Sequence, residues 1–427
     1  MDLQFSLPFN PRSESEGFLQ SVPPRPAVFA LFPPGSPTVP APPYVGRTRD
    51  LRRRLVRLLS PRQEPSRMLN LREVVGRVDY QLVGSGFEAQ WLLYLLNRAY
   101  YPDHYRERLR LRPPALLKLN LNNRFPRCYP TRRLSNDGSL YYGPFPSPVA
   151  AERFASEFLD FFKMRRCVED LDPHPSHPGC IYSQLRMCLA PCYAGCTDDE
   201  YQQEVGRVVE SLDAQAQPLL RSLEAERMQA SDALEFEQAA KIHRRIEKLH
   251  EVLRQKPDLA RNLRDLHAVV VQRGAEANTV SFFRVAAGEL RGPATLSFDE
   301  NVPAPVPLDA LLQNLLASLA AEPGGQGRAG MTGNPRATSR PAQGPAPSGE
   351  GAGGLLDSNL QDASRGKRAG ASSGARKTAS LPPWEHLSLL ARWYYSSFRD
   401  GELVMLGPDH TIPHSRLIRV CRKLLAL

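Results

Sequence analysis

Five of the seven cysteines in this 427-residue chain fall between Cys167 and Cys196, spaced Cys167-x12-Cys180-x7-Cys188-x3-Cys192-x3-Cys196. Cysteines this dense constrain the chain more than any other feature, because thiolates bind soft metals whereas a reducing compartment keeps structural disulfides rare. The intervening Asp172-Pro173-His174-Pro175-Ser176-His177-Pro178-Gly179 is polar and turn-rich, unlike a core segment, and something must order it. The spacing favours a metal or iron–sulfur centre, and small buried cysteines in a compact loop are the alternative. Cys128 and Cys421 stand alone and read as structural.

The length allows two to four domains, each with its own core. A formal charge of +10 and a pI near 9.4 imply a polyanionic partner and say nothing about fold. No stretch approaches the ~18 apolar residues that span a membrane. Met1 to Ser21 lacks the basic and apolar regions of a signal peptide, so the expectation is a soluble, cytoplasmic protein with no membrane partner.

Residues 1–24 are polar and Pro-rich and are expected to be flexible. Ala27 to Phe32 and Tyr44-Val45-Gly46 then read as strands separated by a Pro/Gly turn region. The next segment carries Leu51, Leu55, Leu58 and Leu59 on one helical stripe. Arg47, Arg49, Arg52, Arg53, Arg54 and Arg57 cover the rest, six arginines in eleven residues. Arginine grips phosphate oxygens in a bidentate way, so this face suits DNA or another polyphosphate; a merely solvated helix face is the alternative. A third strand is expected at Arg77 to Val83, and a helix at Glu88 to Tyr101.

After a basic connection containing Arg106, Arg108, Arg110 and Arg112, the segments 116–120 and 127–133 have strand character. Asn136-Asp137-Gly138 is expected to join the second of them to Ser139 to Tyr142 as a hairpin. A helix at about 149–162 leads to the cysteines. Thr197-Asp198-Asp199-Glu200 has the form of a capping box, opening a long helix that Pro218 bends or restarts. Phe236, Ala239, Ile242, Ile246, Leu249 and Leu253 give the next helix its apolar stripe, making an antiparallel helical hairpin. Two helices alone bury too little apolar surface to be independently stable, so this hairpin packs on the rest or offers its stripe to a partner. Strands are expected over 268–271, 279–285 and 295–298, then a helix from Leu308 to Ala321. Residues 323–381 have the composition of a disordered linker, and a helix through Leu389, Trp393 and Phe398 comes after it.

Three of these stretches occur in an order that resembles one family. Ala27-Val28-Phe29 and Tyr44-Val45-Gly46 with the arginine-rich helix resemble a GIY-YIG nuclease core. Tyr142-Gly143-Pro144-Phe145-Pro146 and Arg186-Met187-Cys188-Leu189-Ala190-Pro191-Cys192 resemble the region downstream of that core in the UvrC excinuclease family of bacterial nucleotide excision repair. Leu234-Glu235-Phe236-Glu237-Gln238-Ala239-Ala240-Lys241-Ile242 resembles that family's UVR motif. The resemblance covers roughly residues 25–255.

It implies an α+β chain: a small GIY-YIG-like nuclease domain at 25–112, a β-hairpin and helix extension at 113–166, the cysteine cluster at 167–196 and a UVR hairpin at 197–256. A β-rich remnant at 257–322, the linker at 323–381 and a helical segment at 382–427 complete it. It also implies that Cys167, Cys180, Cys188 and Cys192 ligate a [4Fe–4S] cluster, with zinc as the alternative and Cys196 as an extra cysteine. Phe236, Ala239, Ala240 and Ile242 would meet UvrB, the excinuclease component that the UVR motif docks onto in this family.

The family nuclease needs two tyrosines, a helix arginine and a metal-binding glutamate. Tyr44 and Arg54 match the second tyrosine and the arginine, and Arg47 keeps a charge where lysine is usual. Phe29 stands at the first tyrosine and Leu95 at the glutamate, and leucine cannot bind Mg²⁺ or Mn²⁺. An asparagine usual downstream is aligned with Arg106. The family's RNase H-like nuclease and helix–hairpin–helix domains are expected to be missing. The resemblance therefore implies a DNA-binding repair protein with a degenerate nuclease core. The alternative is an active metal-dependent endonuclease making one incision, with Glu88 replacing the lost carboxylate.

Overall fold

The computed structural model describes residues 3–12, 15–35, 41–61, 69–298, 308–319 and 382–425. Among them are three four-stranded antiparallel sheets joined by helices, an α+β architecture. In the first sheet the strands run in the order Phe5–Pro8, Arg77–Leu82, Ala27–Phe32, Tyr44–Thr48. Strand alternation sends Phe29 and Leu31 towards Leu51, Leu55, Leu58 and Leu59 of the arginine-rich helix Leu51–Leu59. Val28 and Ala30 point the other way, onto Ala89, Leu92 and Leu96 of the helix Gly86–Tyr100. Each helix begins at a capping side chain: Asp50 accepts from the Arg53 amide at 2.9 Å, and Ser85 from the Glu88 amide at 3.0 Å.

The N-terminal residues depart from the flexible segment expected of 1–24. Phe5–Pro8 pairs with Arg77–Tyr80 as an edge strand, and Ser15–Ser21 is helical. Phe5 stacks on Tyr80 at 5.0 Å between ring centroids, while Phe9, Leu19 and Val22 are buried in the first core. A few well-spaced apolar residues outweigh a polar, Pro-rich average, and Pro8 is tolerated because it lies on an edge.

The second sheet corrects the expected hairpin. Its order is Cys128–Thr131, Ala115–Leu119, Leu140–Phe145, Arg261–Asn262, so the two strands flanking Asn136-Asp137-Gly138 are separated by Ala115–Leu119. That strand has every residue buried and accepts a neighbour on each side. Lys118 reaches from it to the Asp137 carboxylate and, at 3.1 Å, to Ser135. The Asx-rich turn therefore serves as a crossover held by an ion pair.

Thr197 and Glu200 do form the reciprocal cap of the helix Asp198–Asp213. Tyr201 on this helix donates to the Pro126 carbonyl at 2.8 Å, which fastens the helix to the second sheet. Pro218 restarts the chain as Gln217–Asp232, after Ala216 adopts a left-handed conformation. The helical hairpin is formed by this helix and Phe236–Gln255; Leu219, Leu220, Leu223, Ile242, Ile246 and Leu249 share one core with the sheet and the helix Pro148–Leu159.

In the third sheet the order is Glu289–Ser297, Thr279–Ala286, Ala268–Arg273, Glu402–Met405. Its last strand belongs to the segment 382–427, expected to be helical; Glu402 to Met405 pair with Val271 to Ala268. The helix Trp384–Tyr394 packs on the helix Gly86–Tyr100, with Trp393 5.0 Å from Phe87. Glu385, nearly fully buried, accepts from the Tyr105 hydroxyl and from Arg106, both at 2.8 Å. Leu308–Ser318 and His414–Leu425 cover the opposite sheet face over Val269, Val271, Val280 and Phe282. The expected linker at 323–381 lies outside the described residues. No described helix is long and apolar enough to cross a membrane.

His386 makes the C-terminal segment sensitive to acid. Its Nδ1 accepts from the Leu290 amide at 3.2 Å, its ring packs against Trp91 and Tyr94, and burial lowers its pKa to about 4. A folded-state pKa below the unfolded ~6.5 means the unfolded chain binds the extra proton between those values. Stability should be complete above that window and fall by up to about 3 kcal/mol as pH drops through it. Denaturant midpoints measured across pH should show this slope in the parent and a flatter one in His386→Gln; equal slopes would rule out His386 as the source.

Candidate functional site

The first candidate site lies where the edge strand Tyr44–Thr48 meets the arginine-rich helix. Because Leu51, Leu55, Leu58 and Leu59 are buried, the helix turns its arginines outward. Arg54 Nη2 donates to the Tyr44 hydroxyl at 3.1 Å, so the two residues singled out as a catalytic remnant are in contact. Arg54 Nε is buried with no acceptor among the described residues, and neither residue contacts a carboxylate among them. Arg47, Arg49, Arg53 and Arg57 are exposed. Arg52 differs: its guanidinium donates to the Val22 carbonyl at 2.7 Å and to the Gln20 carbonyl at 3.0 Å. It anchors the N-terminal segment in addition to bordering the basic face.

Phe29 is fully buried, with its ring 6.2 Å from that of Tyr44. A Cβ at Gly46 would come within 2.9 Å of the same ring, so glycine leaves room for it. Leu95 is turned away from this sheet, packing with Phe87, Trp91, Tyr94 and the C-terminal helix. The side of Gly86–Tyr100 facing the sheet presents Ala89, Leu92, Leu93 and Leu96. Glu88 sits at the start of that helix, 4% exposed, and accepts from the Gly84 amide at 2.9 Å. Burial raises its pKa, with the Gly84 bond acting in the opposite direction.

The cysteine loop is ordered by a buried cation. Arg165, 1% exposed, donates to the carbonyls of Phe125 and Glu169, each at 2.8 Å, and to Cys167 Sγ at 3.5 Å. It has no carboxylate partner among the described residues. The Ala190 amide donates to Cys188 Sγ at 3.3 Å, and the His174 amide to the Cys192 carbonyl at 3.0 Å. Burial pushes the Cys188 thiol up to about 11, with further rises from Cys167, Cys180 and Cys192. Burial also raises Cys192 and Cys196; Cys196 responds to Glu200, Asp198 and Cys192. All seven cysteines are free thiols.

Among the described residues, no three Cys, His, Asp or Glu side chains are placed to hold one metal ion. Four thiols on a turn-rich loop beside an uncompensated guanidinium nevertheless fit an anionic, sulfur-ligated centre in donor type and charge. The same four thiols fit a closed tetrahedral zinc site in donor type.

The turn of the helical hairpin exposes Leu234 (72%), Phe236 (65%) and Met228 (61%). Ala240 is also exposed and Ala239 is half-buried. Ile242, expected on a partner-facing stripe, is instead 8% exposed in the shared core. The apolar stripe thus closes on the protein's own second sheet, and only its tip is open. Helical spacing gives Leu234 no signal as a contact residue, because only the turn conformation, φ 60° at this position, brings it outward beside Phe236.

Comparisons with known proteins bear on two of these regions. Residues 115–211 match the family model "UvrC/Cho excinuclease, middle domain", which takes in three strands of the second sheet, the cysteine loop and most of the helix Asp198–Asp213. Residues 219–252 match "UvrB/uvrC motif", the helical hairpin. The chain is similar to UvrABC system protein C of Carboxydothermus hydrogenoformans, 29% identical over 60% of this chain and 42% of the relative. The corresponding protein of Idiomarina loihiensis is 26% identical over 71% and 48%, and that of Actinobacillus succinogenes 30% over 56% and 39%. The chain thus spans less than half the length of these curated relatives. No solved structure matches. With a middle-domain match and a UVR-motif match in succession, the chain is similar to the UvrC family over residues 115–252.

Proposed function

We propose that this chain acts in nucleotide excision repair by binding DNA through its arginine-rich face and docking on UvrB through its hairpin tip, with a nuclease-like core that does not cleave. The observation carrying this reading is the UVR motif match over 219–252 on a hairpin whose Leu234 and Phe236 are exposed. Large apolar side chains together on a surface mark an interaction site, and an aromatic anchor is a common energetic centre of such contacts.

The DNA reading is supported by the exposed Arg47, Arg49, Arg53 and Arg57 around the strand Tyr44–Thr48 and the arginine-rich helix, together with Arg52. These side chains would neutralise phosphates and release counterions. The GIY-YIG resemblance supplies the argument for lost cleavage. Arg54 and Tyr44 keep their mutual hydrogen bond, but Phe29 has no hydroxyl and Leu95 no carboxylate. Glu88 is committed to the Gly84 amide. Without a carboxylate to seat Mg²⁺ or Mn²⁺, phosphoryl charge lacks its main stabiliser, a loss on the order of 10³-fold or more in rate.

Cys167, Cys180, Cys188 and Cys192 would hold a [4Fe–4S] cluster, with Arg165 offsetting its negative charge. Bound there, the cluster would cross-link the loop and could supply one-electron chemistry. Cys196, associated with Cys192, Asp198 and Glu200, would remain a free thiol.

A nicking assay on damaged and undamaged duplex DNA with Mg²⁺ or Mn²⁺ should show binding without incision, and affinity should fall steeply with salt. Metal-dependent incision abolished by Arg54→Ala would instead establish the endonuclease alternative. Anaerobically purified protein should contain about four irons per chain and visible charge-transfer absorbance; one zinc and no iron would assign the site to zinc. Phe236→Ala should weaken binding to the UvrB C-terminal tail by ~2 kcal/mol, about thirtyfold. Unchanged binding would remove the hairpin tip from the interface.

A further inference from the structure

A cavity of about 340 Å³ lies where the second sheet meets the C-terminal helix. Arg110, Arg112, Arg132 and Arg392 line it together with Ser147 and Tyr395. We propose that this cavity is a second phosphate-binding site, which seats the backbone of a nucleic-acid strand. The proposal rests on the DNA-binding reading given above and adds a site contributed by a different part of the chain.

The four arginines come from three separate segments. Arg110 and Arg112 belong to the basic connection, Arg132 comes directly after the strand Cys128–Thr131, and Arg392 is on the helix Trp384–Tyr394. Arg392 donates to the carbonyls of Leu109 at 3.3 Å and Arg110 at 2.8 Å. It thereby fixes the loop in which Arg110 takes a left-handed conformation, φ 49°. Tyr395 is held by its hydroxyl on the Pro144 carbonyl at 2.8 Å. The positions of two of the arginines are thus set by backbone contacts rather than by carboxylates. No acidic residue lines the cavity, and none of the four arginines is ion-paired among the described residues.

The helix Pro148–Leu159 also starts at this cavity. Ser147 already accepts from the Ala150 amide at 3.1 Å and Pro148 has no amide hydrogen. The helix therefore contributes the positive end of its dipole more than free donors. Four guanidinium groups beside that end repel one another until an anion enters, and guanidinium geometry matches phosphate oxygens. Partial burial and nearby Arg47 both act against the charge on Arg392. A lining with four arginines and no carboxylate offers more cationic groups than one small anion engages, which favours a strand carrying successive phosphates.

The test measures duplex oligonucleotide binding by fluorescence anisotropy over a salt series, using the full chain, Arg112→Ala/Arg132→Ala, and Arg49→Ala/Arg53→Ala on the other face. Both arginines of the cavity variant are exposed, and its melting curve reports whether the fold is kept. The cavity variant should flatten the slope of log affinity against log salt by about two, and Arg112→Lys/Arg132→Lys should restore most of it. An unchanged slope and affinity, with Arg49→Ala/Arg53→Ala still weakening binding, would overturn this proposal and leave the DNA-binding reading standing. A parent that binds no DNA would overturn both. Inorganic phosphate supplies the second arm. If it raises the melting temperature of the parent but not of the cavity variant, while DNA binding is the same in both, the cavity takes a free anion and the assignment to nucleic acid is wrong.

Discussion

The middle of this protein depends on one buried charge. Arg165 is 1% exposed, and taking a guanidinium out of water costs several kcal/mol unless its donors are satisfied. Carbonyls of Phe125 and Glu169 and the sulfur of Cys167 satisfy them, while the Arg165 amide donates to the Tyr201 hydroxyl at 3.0 Å. Tyr201 in turn donates to Pro126. Three segments far apart in sequence meet here: the connection at 125–126, the entry to the cysteine loop and the helix that leaves it. A loop composed of Pro, His, Ser and Gly has little apolar surface to bury and is ordered by this polar junction. Carbonyls satisfy hydrogen bonds but do not neutralise charge, and a sulfur-ligated anion beside Cys167 would complete the balance.

A second dependence runs through the helix Gly86–Tyr100. One side of it closes the first sheet through Ala89, Leu92 and Leu96; the other meets the C-terminal helix through Phe87, Trp91 and Tyr94. A helix buried on both sides has little freedom to carry charge along its length. Glu88 is accommodated only at the first turn, where the Gly84 amide and the helix dipole favour a carboxylate. A metal-binding glutamate in the middle of this helix would face either apolar core, so the C-terminal packing and the absence of a carboxylate at Leu95 are two aspects of one arrangement.

Much of this was legible in the sequence. The strands at 27–32 and 44–48, the leucine stripe from Leu51 to Leu59 and the Thr197–Glu200 cap are local patterns, and local patterns carry over. The strand pairings around Asn136-Asp137-Gly138 were not legible, because a turn signal specifies a reversal and not which neighbour the next strand takes. The edge strand Phe5–Pro8 and the pairing of Glu402–Met405 with Ala268–Val271 are long-range choices made by sheet edges, and the intervening segments conceal them. Among the site residues, the contact of Tyr44 with Arg54 could be anticipated from the strand–helix order. Arg52 and Ile242 were assigned outward roles because helical spacing distinguishes faces but does not say what covers them.

Phe29 connects packing to function most directly. It is fully buried among Leu51, Leu55 and Leu58, and Gly46 leaves room for its ring. A hydroxyl at that position would need a hydrogen-bond partner inside an apolar cluster or would cost about 1–3 kcal/mol, whereas phenylalanine costs nothing. In this cluster the phenyl ring packs with no polar group to satisfy. The outward arginines carry no such cost in the core, and their charge remains useful wherever a phosphate backbone is to be held. The core around Phe29, the core under the helical hairpin and the polar junction at Arg165 are separate sets of contacts, so a change in one leaves the others in place.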